Sequence, residues 1–131
     1  MFDALKLDTS AINAQEEQIG QRVRELDDPL RKIFYDRLAC EMKDPDTYAV
    51  LNFFFPTGLH HMYLGKYLRG TINLIILTIG IGCFLLGFPI AGTITVVFIL
   101  CIELMALFRS QTIVTHHNNQ LSEEILESIG T

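Results

Sequence analysis

The sequence predicts an all-α membrane protein. A transmembrane helical hairpin follows a short interfacial or re-entrant segment, with a cytoplasmic N-terminal helical hairpin and a C-terminal amphipathic helix. Of the 131 residues, 50% are hydrophobic and 19% are charged. Residues 71–108 contain one formally charged side chain, Glu103. This run is about twice as long as a spanning helix, and Pro89 divides it near its middle. These observations indicate two membrane spans.

Residues 1–47 are predicted to form a cytoplasmic helical region. Ser10 is a candidate N-cap for a first helix, whose apolar residues recur on one face. Asp28 followed by Pro29 is a start signal for a second helix, because aspartate caps helices and proline fits the first helical position. The apolar stripe of this second helix ends before Pro45. The two helices therefore resemble a helical hairpin.

Residues 48–69 are interpreted as an interfacial or re-entrant segment. Their apolar part, residues 48–59, is too short to cross a bilayer comfortably, and an asparagine, a proline and a glycine interrupt it. An alternative extends the apolar part to Leu64 and counts it as a third span. That alternative would place Lys43 and Lys66 on opposite sides of the membrane.

Two membrane spans are predicted, at residues 70–88 and 90–108. The turn between them has no basic residue, whereas lysines and arginines flank both outer ends. Because cytoplasmic segments are enriched in Lys and Arg, both termini are expected in the cytoplasm. The chain is therefore predicted to be integral to a plasma or inner membrane. The expected interface anchors are basic and aromatic side chains beside the spans: Lys66, Tyr67, Arg69 and Arg109.

Residues 120–131 are predicted to form the C-terminal amphipathic helix, with Ser122 as its cap and Gly130 at its end. The formal net charge of −5 argues against nucleic acid as a partner, because phosphate binding relies on clustered Lys and Arg. The expected partners are membrane lipids and either other membrane protein subunits or further copies of the chain. A basic protein partner fits the net charge.

Asn73 and Glu103 form the predicted intramembrane polar pair. A carboxylate inside a span costs a few kcal/mol unless it is protonated, paired or close to the interface. Glu103 lies roughly 7–8 Å inside the end of its span at about 1.5 Å per residue, and Asn73 lies at a similar depth in the antiparallel span. A hydrogen bond across the hairpin is therefore expected. Ion or proton conduction through Glu103 and contact with a partner are the alternatives.

Small residues of the first span provide surfaces for close helix approach. These residues are Thr78, Gly80, Gly82, Cys83 and Gly87, of which Thr78 and Gly82 are spaced by four, as are Cys83 and Gly87. Such surfaces could serve the hairpin itself, a homo-oligomer or another membrane protein.

The four histidines occur as adjacent pairs, one being His60 and His61 and the other His116 and His117. Both pairs lie on the same predicted side of the membrane, where four imidazoles could bind zinc or copper. Adjacent histidines on a helix point about 100° apart, however, and metal sites usually need a more regular spacing. No metal site and no cofactor is therefore predicted, and interfacial histidines bonded to the backbone, to headgroups or to Glu103 are expected instead. No nucleophile–base pair, phosphate loop or dinucleotide fingerprint is recognisable either, so no catalytic residue is assigned.

Residues 58–65, GLHHMYLG, resemble the signature of the TM-two domain family, whose pattern runs approximately G-x-H-R-F-Y-L-G. The positions that agree are Gly58, His60, Tyr63, Leu64 and Gly65. Glu103 and its neighbours resemble the family's I-D-L sequence near the end of the last span, and Asn118 or Asn119 resembles a downstream asparagine. The resemblance covers about residues 48–119 and leaves the N-terminal helices as a separate addition.

The chain departs from the family pattern at several positions. His61 replaces the arginine, Met62 replaces the phenylalanine, and Glu103 replaces the aspartate. The tryptophans often found before that acid are absent. The chain therefore looks like a divergent member of the family.

The resemblance implies a small membrane protein without a known general catalytic activity. The expected function is that of a non-catalytic accessory or scaffold subunit, which docks through its cytoplasmic helices and the small-residue faces of its spans. The alternative is a self-assembling pore or an ion- or proton-transfer protein built around Glu103. A pore needs a continuous polar stripe along a span, and the polar residues of these spans do not form one.

Overall fold

The computed structural model describes residues 6–54 and 57–130, and every helix or strand within these ranges is an α-helix. Parts of three predicted segments, residues 1–5, 55–56 and 131, lie outside the described residues. The helices are α1 (Thr9–Arg24), α2 (Asp28–Glu41), α3 (Pro45–Phe54), α4 (Leu59–Tyr63), α5 (Tyr67–Leu85), α6 (Pro89–Phe108) and α7 (Ser110–Ser128). The prediction of an all-α chain with two long apolar helices is confirmed.

The chain divides into two compact units. Among the described residues, the hairpin unit is Pro45–Ser110, and the three-helix unit joins residues 6–44 with residues 111–130. The division falls at Ser110, not at residue 119, because α7 continues through residue 119 without a break. Residues 111–119 therefore belong with the cytoplasmic helices of the sequence prediction and not with the spans.

The three-helix unit has an apolar core contributed by α1, α2 and α7. The buried members of this core are Ile19, Val23, Leu26, Phe34, Ile125 and Leu126. Arg31 of α2 donates to the carbonyls of Arg24 and Leu26, at 2.9 and 2.8 Å, and so satisfies acceptors at the end of α1. Asn118 of α7 exchanges two hydrogen bonds of 2.9 Å with the backbone of Lys43. Apolar burial and side-chain caps thus hold this unit together.

Two predicted caps of the three-helix unit were wrong. The N-cap of α1 is Asp8, whose carboxylate accepts from the backbone N–H of Ser10 at 2.9 Å and from the Ser10 hydroxyl. A carboxylate at this position is favoured by the helix dipole, and its hydrogen bonds with Ser10 lower the pKa of Asp8. Ser122 is not a cap either, because it lies in the middle of α7, which runs unbroken from Ser110 to Ser128. Its side chain is buried.

The hairpin unit is built on α5 and α6, which pack closely where two glycines face each other. A Cβ added to Gly92 would lie 2.7 Å from the Gly80 carbonyl oxygen, and one added to Gly80 would lie 3.0 Å from a Val96 methyl. The small-residue pairs predicted from spacing do not make this contact. A Cβ added at Gly82 or Gly87 would meet no atom within 4 Å, so the Gly82 face stays open.

Helices α5 and α6 are long and apolar enough to cross a membrane. Only 17% of the apolar stretch of α5 and 22% of that of α6 are buried, whereas a core helix of a soluble protein is mostly buried. Large apolar side chains on both helices are exposed, among them Ile79, Leu85, Ile90, Ile94 and Phe98. This exposure fits a helix surrounded by lipid.

The segment before α5 is not one continuous helix in the described residues. It contains α3, of 10 residues, and α4, of five. At about 1.5 Å per residue, α3 extends roughly 15 Å, half of a hydrocarbon core of about 30 Å. Gly58 precedes α4 with a φ of +89°, a left-handed conformation that breaks the helical path. The third span considered for residues 48–64 is not among the helices long enough to cross.

Candidate functional site

Six polar side chains converge in the hairpin unit from four different helices. They form what we call the polar cluster: Tyr48 and Asn52 of α3, His60 and His61 of α4, Asn73 of α5 and Glu103 of α6. All except His61 are buried, and His61 is half-buried. The unit thus buries a polar cluster, although its surface is largely apolar.

Glu103 lies at the centre of the polar cluster, with its side chain 3% exposed. Its Oε1 accepts a hydrogen bond from the Asn73 amide of the antiparallel helix. Its backbone carbonyl accepts from the Asn52 amide at 2.8 Å. The structure therefore brings together the predicted Asn73–Glu103 pair and adds Asn52, which links α3 to α6.

His60 makes the closest approach to the free oxygen of the carboxylate. Its Nε2 lies 2.6 Å from Oε2 of Glu103, and its side chain is fully buried. The two atoms lack the directional geometry of a hydrogen bond, and neither has another partner among the described residues. An unprotonated imidazole nitrogen would be repelled by a carboxylate oxygen at this distance, so the approach requires a proton or a cation between the two atoms.

His61 reaches the same carboxylate from the neighbouring position. Its Nε2 lies 3.8 Å from Oε1 of Glu103, and its ring centroid lies 4.1 Å from that of His60 at a tilt of 44°. Burial, followed by the charge of His60, lowers the pKa of His61 to about 4, while Glu103 acts in the opposite direction. His61 is therefore neutral at neutral pH.

Tyr48 closes the cluster on the α3 side. Its ring packs edge-on against His60, with centroids 5.2 Å apart, and its hydroxyl is buried without a hydrogen-bond partner among the described residues. Burial, and secondarily the charge of Glu103, raises the pKa of Tyr48, so the phenol stays protonated.

Glycines allow the α4 segment to reach the spans. A Cβ added to Gly58 would lie 2.7 Å from the Gly70 carbonyl oxygen and 3.1 Å from the Asn73 Cβ. A Cβ added to Gly70 would lie 2.6 Å from the Met62 side chain. Any larger residue at these two positions would push α4 away from α5, and with it His60 from Glu103.

The other residues singled out in the sequence occupy less buried places. Leu64 is buried, Tyr63 is half-buried, and Gly65 forms an exposed turn with a φ of +74°. Among the predicted anchors, Lys66 and Tyr67 are exposed, and Arg69 and Arg109 are half-buried. The anchors are distributed along the beginning of α5 and the end of α6 and do not enter the polar cluster.

The polar cluster contains side-chain atoms that can act as ligands to a metal cation. Ligand atoms of His60, His61 and Glu103 all lie within 4.8 Å of one another. The cluster has no serine or cysteine nucleophile beside these bases. His116 and His117, considered with them in the four-imidazole hypothesis, belong to the three-helix unit.

Sequence reasoning assigned Tyr48 and Asn52 to no site, and it considered His61 only in the four-imidazole hypothesis. A signal was present for two of them, because Tyr48 and Asn52 are four residues apart and therefore share one face of a helix. Two polar groups on one face of an otherwise apolar helix indicate a buried polar contact.

No model of a known protein family matches this chain, and neither the curated proteins nor the solved structures searched include a match. The resemblance to the TM-two domain family therefore stays a prediction that rests on residues 58–65 and Glu103.

Proposed function

We propose that this chain is an integral membrane protein of the TM-two domain type that acts as a non-catalytic accessory or scaffold subunit. Both termini lie in the cytoplasm, and α5 and α6 cross the membrane. The acidic three-helix unit binds basic cytoplasmic loops of another membrane protein. The polar cluster holds α3 and α4 against the spans and keeps the hairpin unit in one conformation.

The observation that carries this proposal is the inverted polarity of the hairpin unit. Its carboxylate, imidazole and amide groups are directed inwards and contact each other, while the outer faces of α5 and α6 are apolar. Glu103 is enclosed by its partners and offers no open face to a substrate. The surfaces available for function are therefore the outside of the spans and the three-helix unit.

The kind of partner is inferred from how charge is divided between the two units. Residues 6–44 and 111–130 contain twelve acidic and seven basic residues, a balance of −5, whereas residues 45–110 contain two acidic and three basic residues. An acidic unit is repelled by an anionic leaflet. Cytoplasmic loops of membrane proteins are enriched in Lys and Arg, so they have the complementary charge.

The proposal is tested by co-purification from native membranes in mild detergent, with the full chain carrying the affinity tag. We expect another membrane protein with basic cytoplasmic loops to copurify in a fixed ratio and to dissociate as the salt concentration rises. Replacing the exposed Glu16 and Glu17 by lysine should abolish the association, since the reversed charges repel the loops. Both substitutions retain good helix formers, so α1 should fold.

A matched control reverses charge in the opposite direction. Replacing the exposed Arg24 and Lys32 by glutamate makes the same unit more acidic and should preserve or strengthen the association. A homogeneous homo-oligomer without a second protein would contradict the proposal. Equal losses in both double variants would show that surface charge does not select the partner.

A second candidate function, proton transfer, is favoured by the contact between His60 and Glu103. Two titratable groups 2.6 Å apart inside a membrane unit are a typical element of proton relays. The rest of the spans does not extend the relay, because Thr78 and Thr95 donate to carbonyls of their own helices at 2.8 and 2.9 Å. Proton flux in liposomes that Glu103→Gln abolishes without loss of assembly would favour this candidate over the scaffold.

A further inference from the structure

Four buried polar atoms of the polar cluster lack hydrogen-bond partners among the described residues. They are the Tyr48 hydroxyl, both ring nitrogens of His60, and Oε2 of Glu103. Buried polar atoms are almost always satisfied, and a concentration of orphaned atoms at one place indicates an ion or an ordered water. Two of the four, His60 Nε2 and Glu103 Oε2, are directed at each other across 2.6 Å.

We infer that His60, His61 and Glu103 form a binding site for a divalent transition-metal ion, with zinc as the best-fitting ion. Two imidazole nitrogens and one carboxylate oxygen are the ligand set of many three-ligand zinc sites, in which a water occupies the fourth position. A cation between His60 Nε2 and Glu103 Oε2 removes the repulsion that an unprotonated imidazole nitrogen would have with the carboxylate. It also gives both orphaned atoms a partner.

The separations of the ligand atoms suit such an ion after small adjustments. In a tetrahedral zinc site with bonds of about 2.0–2.1 Å, neighbouring ligand atoms lie about 3.3 Å apart. Nε2 of His60 lies 2.6 Å from Oε2 of Glu103, and Nε2 of His61 lies 3.8 Å from Oε1. One ligand atom from each of the three residues lies within 4.8 Å of the other two, so a small rotation of the carboxylate and the rings would bring them around one ion. The adjacent histidines meet one carboxylate because α4 is a five-residue helix that presents both rings to α6.

The surroundings of the three ligands favour the same class of ion. Imidazole with carboxylate favours zinc and other first-row transition metals over magnesium and calcium, which prefer sets of oxygen ligands. Asn73 donates to Glu103 and fixes the orientation of the carboxylate, as outer-shell partners do in metal sites. The side chain of His61 is 17% exposed and provides a route by which an ion can enter.

The test uses the full chain in lipid nanodiscs, purified with an affinity tag that contains no histidine. Zinc is titrated against a chromophoric chelator, and bound metal is counted by mass spectrometry. We expect one zinc ion per chain and release of protons on binding. Cobalt in place of zinc should give visible d–d absorption typical of nitrogen and oxygen ligands. A wild-type chain that holds no zinc against the chelator would overturn the inference.

Single substitutions identify the ligands. His60→Gln, His61→Gln and Glu103→Gln should each weaken zinc binding roughly 100-fold or more, since loss of an outer-shell partner alone costs about 10–100-fold. His116→Gln and His117→Gln alter the other two histidines and should leave the stoichiometry unchanged. Asn73→Ala disturbs the same packing without removing a ligand and should retain one zinc ion with a weaker affinity. Equal losses in Asn73→Ala and His61→Gln would contradict direct coordination.

The inference does not depend on the scaffold proposal. Zinc binding is measured on the isolated chain, whereas the scaffold proposal requires a partner from native membranes. A chain that binds zinc and copurifies with no partner would retain the metal site and contradict the scaffold. The reverse result would contradict only the metal site.

Discussion

The two units of this chain are built with opposite polarity. The three-helix unit buries Val23, Phe34 and Leu126 and exposes most of its charges, whereas the hairpin unit buries His60 and Glu103 and exposes most of its large apolar side chains. The same helical geometry serves both. What differs is the surface. The charged surface of the three-helix unit suits water, and the apolar surface of the hairpin unit suits hydrocarbon.

The difference shows where specificity arises in each unit. Apolar burial holds the three-helix unit together. In lipid that driving force between helices is absent, and close packing and interhelical hydrogen bonds replace it. The hairpin unit has both kinds of interaction. Gly80 and Gly92 give close packing, and Glu103 makes polar contacts with Asn73 and His60.

The largest effect is expected from an apolar deletion in the three-helix unit. Phe34→Ala should cost about 3–5 kcal/mol, because it removes a ring that is 2% exposed from the core. Hydrogen exchange should accelerate in α1, α2 and α7 and remain unchanged in α5 and α6. Asp36→Ala, at an exposed position of the same helix, is the control and should change stability by less than about 0.5 kcal/mol. Faster exchange in α5 and α6 would show that the units are not independent.

A polar deletion should have the corresponding effect in the hairpin unit. Glu103→Leu should cost about 2–4 kcal/mol, because His60 and Asn73 are left buried without their partner. Glu103→Gln should cost less, since the amide oxygen still accepts from Asn73. Thermal unfolding in detergent measures the stability of the wild type, Glu103→Gln and Glu103→Leu, which should decrease in that order. A leucine variant as stable as the wild type would mean that the polar cluster does not hold the unit together.

Helix contact in the hairpin unit is tested by adding a single methyl group. Gly92→Ala should cost about 1–3 kcal/mol, because its Cβ would lie 2.7 Å from backbone atoms of α5 that cannot move freely. Gly82→Ala introduces the same group where no atom lies within 4 Å and should be close to neutral. Destabilisation by Gly82→Ala in the isolated chain would place the helix contact on the predicted small-residue face instead.

The smallest effect is expected at the surface of the three-helix unit. Glu123→Gln removes the ion pair with Arg22, whose atoms are 3.3 Å apart and whose side chains are 42% and 36% exposed. The loss should be below about 1 kcal/mol and should vanish at high salt. Chemical unfolding at low and high salt measures both. A loss comparable to that of Glu103→Leu would remove the distinction between surface and buried ion pairs in this chain.

The long apolar helices and the Asn73–Glu103 contact were accessible from the sequence. The apolar run with its central proline is long enough to predict two spanning helices. Counting residues from the ends of these antiparallel helices, at about 1.5 Å per residue, places Asn73 and Glu103 at a similar depth. The starts of α5 and α6 agree with the predicted spans to within three residues. Residues with strong local or length-dependent signals were therefore predictable.

The rest of the polar cluster depends on how the short helices α3 and α4 pack against α5 and α6. The expectation of no metal at His60 and His61 considered a regular helix alone and stays a prediction. Which side chains meet there is decided by the contact of α4 with α6. Ser122 was interpreted as a cap because its residue type favours caps, but the sequence from Ser110 to Ser128 contains no glycine or proline that would interrupt the helix. Contacts between helices thus decide the outcome for the histidines, and the uninterrupted sequence of α7 decides it for Ser122.

The central claim is that the outer faces of α5 and α6 contact lipid, while the three-helix unit contacts water. The most direct measurement attaches spin labels to single cysteines at the exposed positions Ile94, Phe98 and Leu104, and at Glu17 and Tyr35, in a chain without its native cysteines reconstituted into liposomes. The account predicts that the first three labels collide with dissolved oxygen and not with a water-soluble nickel chelate, and that the last two collide with the chelate. Labels at Ile94 and Phe98 that are accessible to the chelate would contradict it.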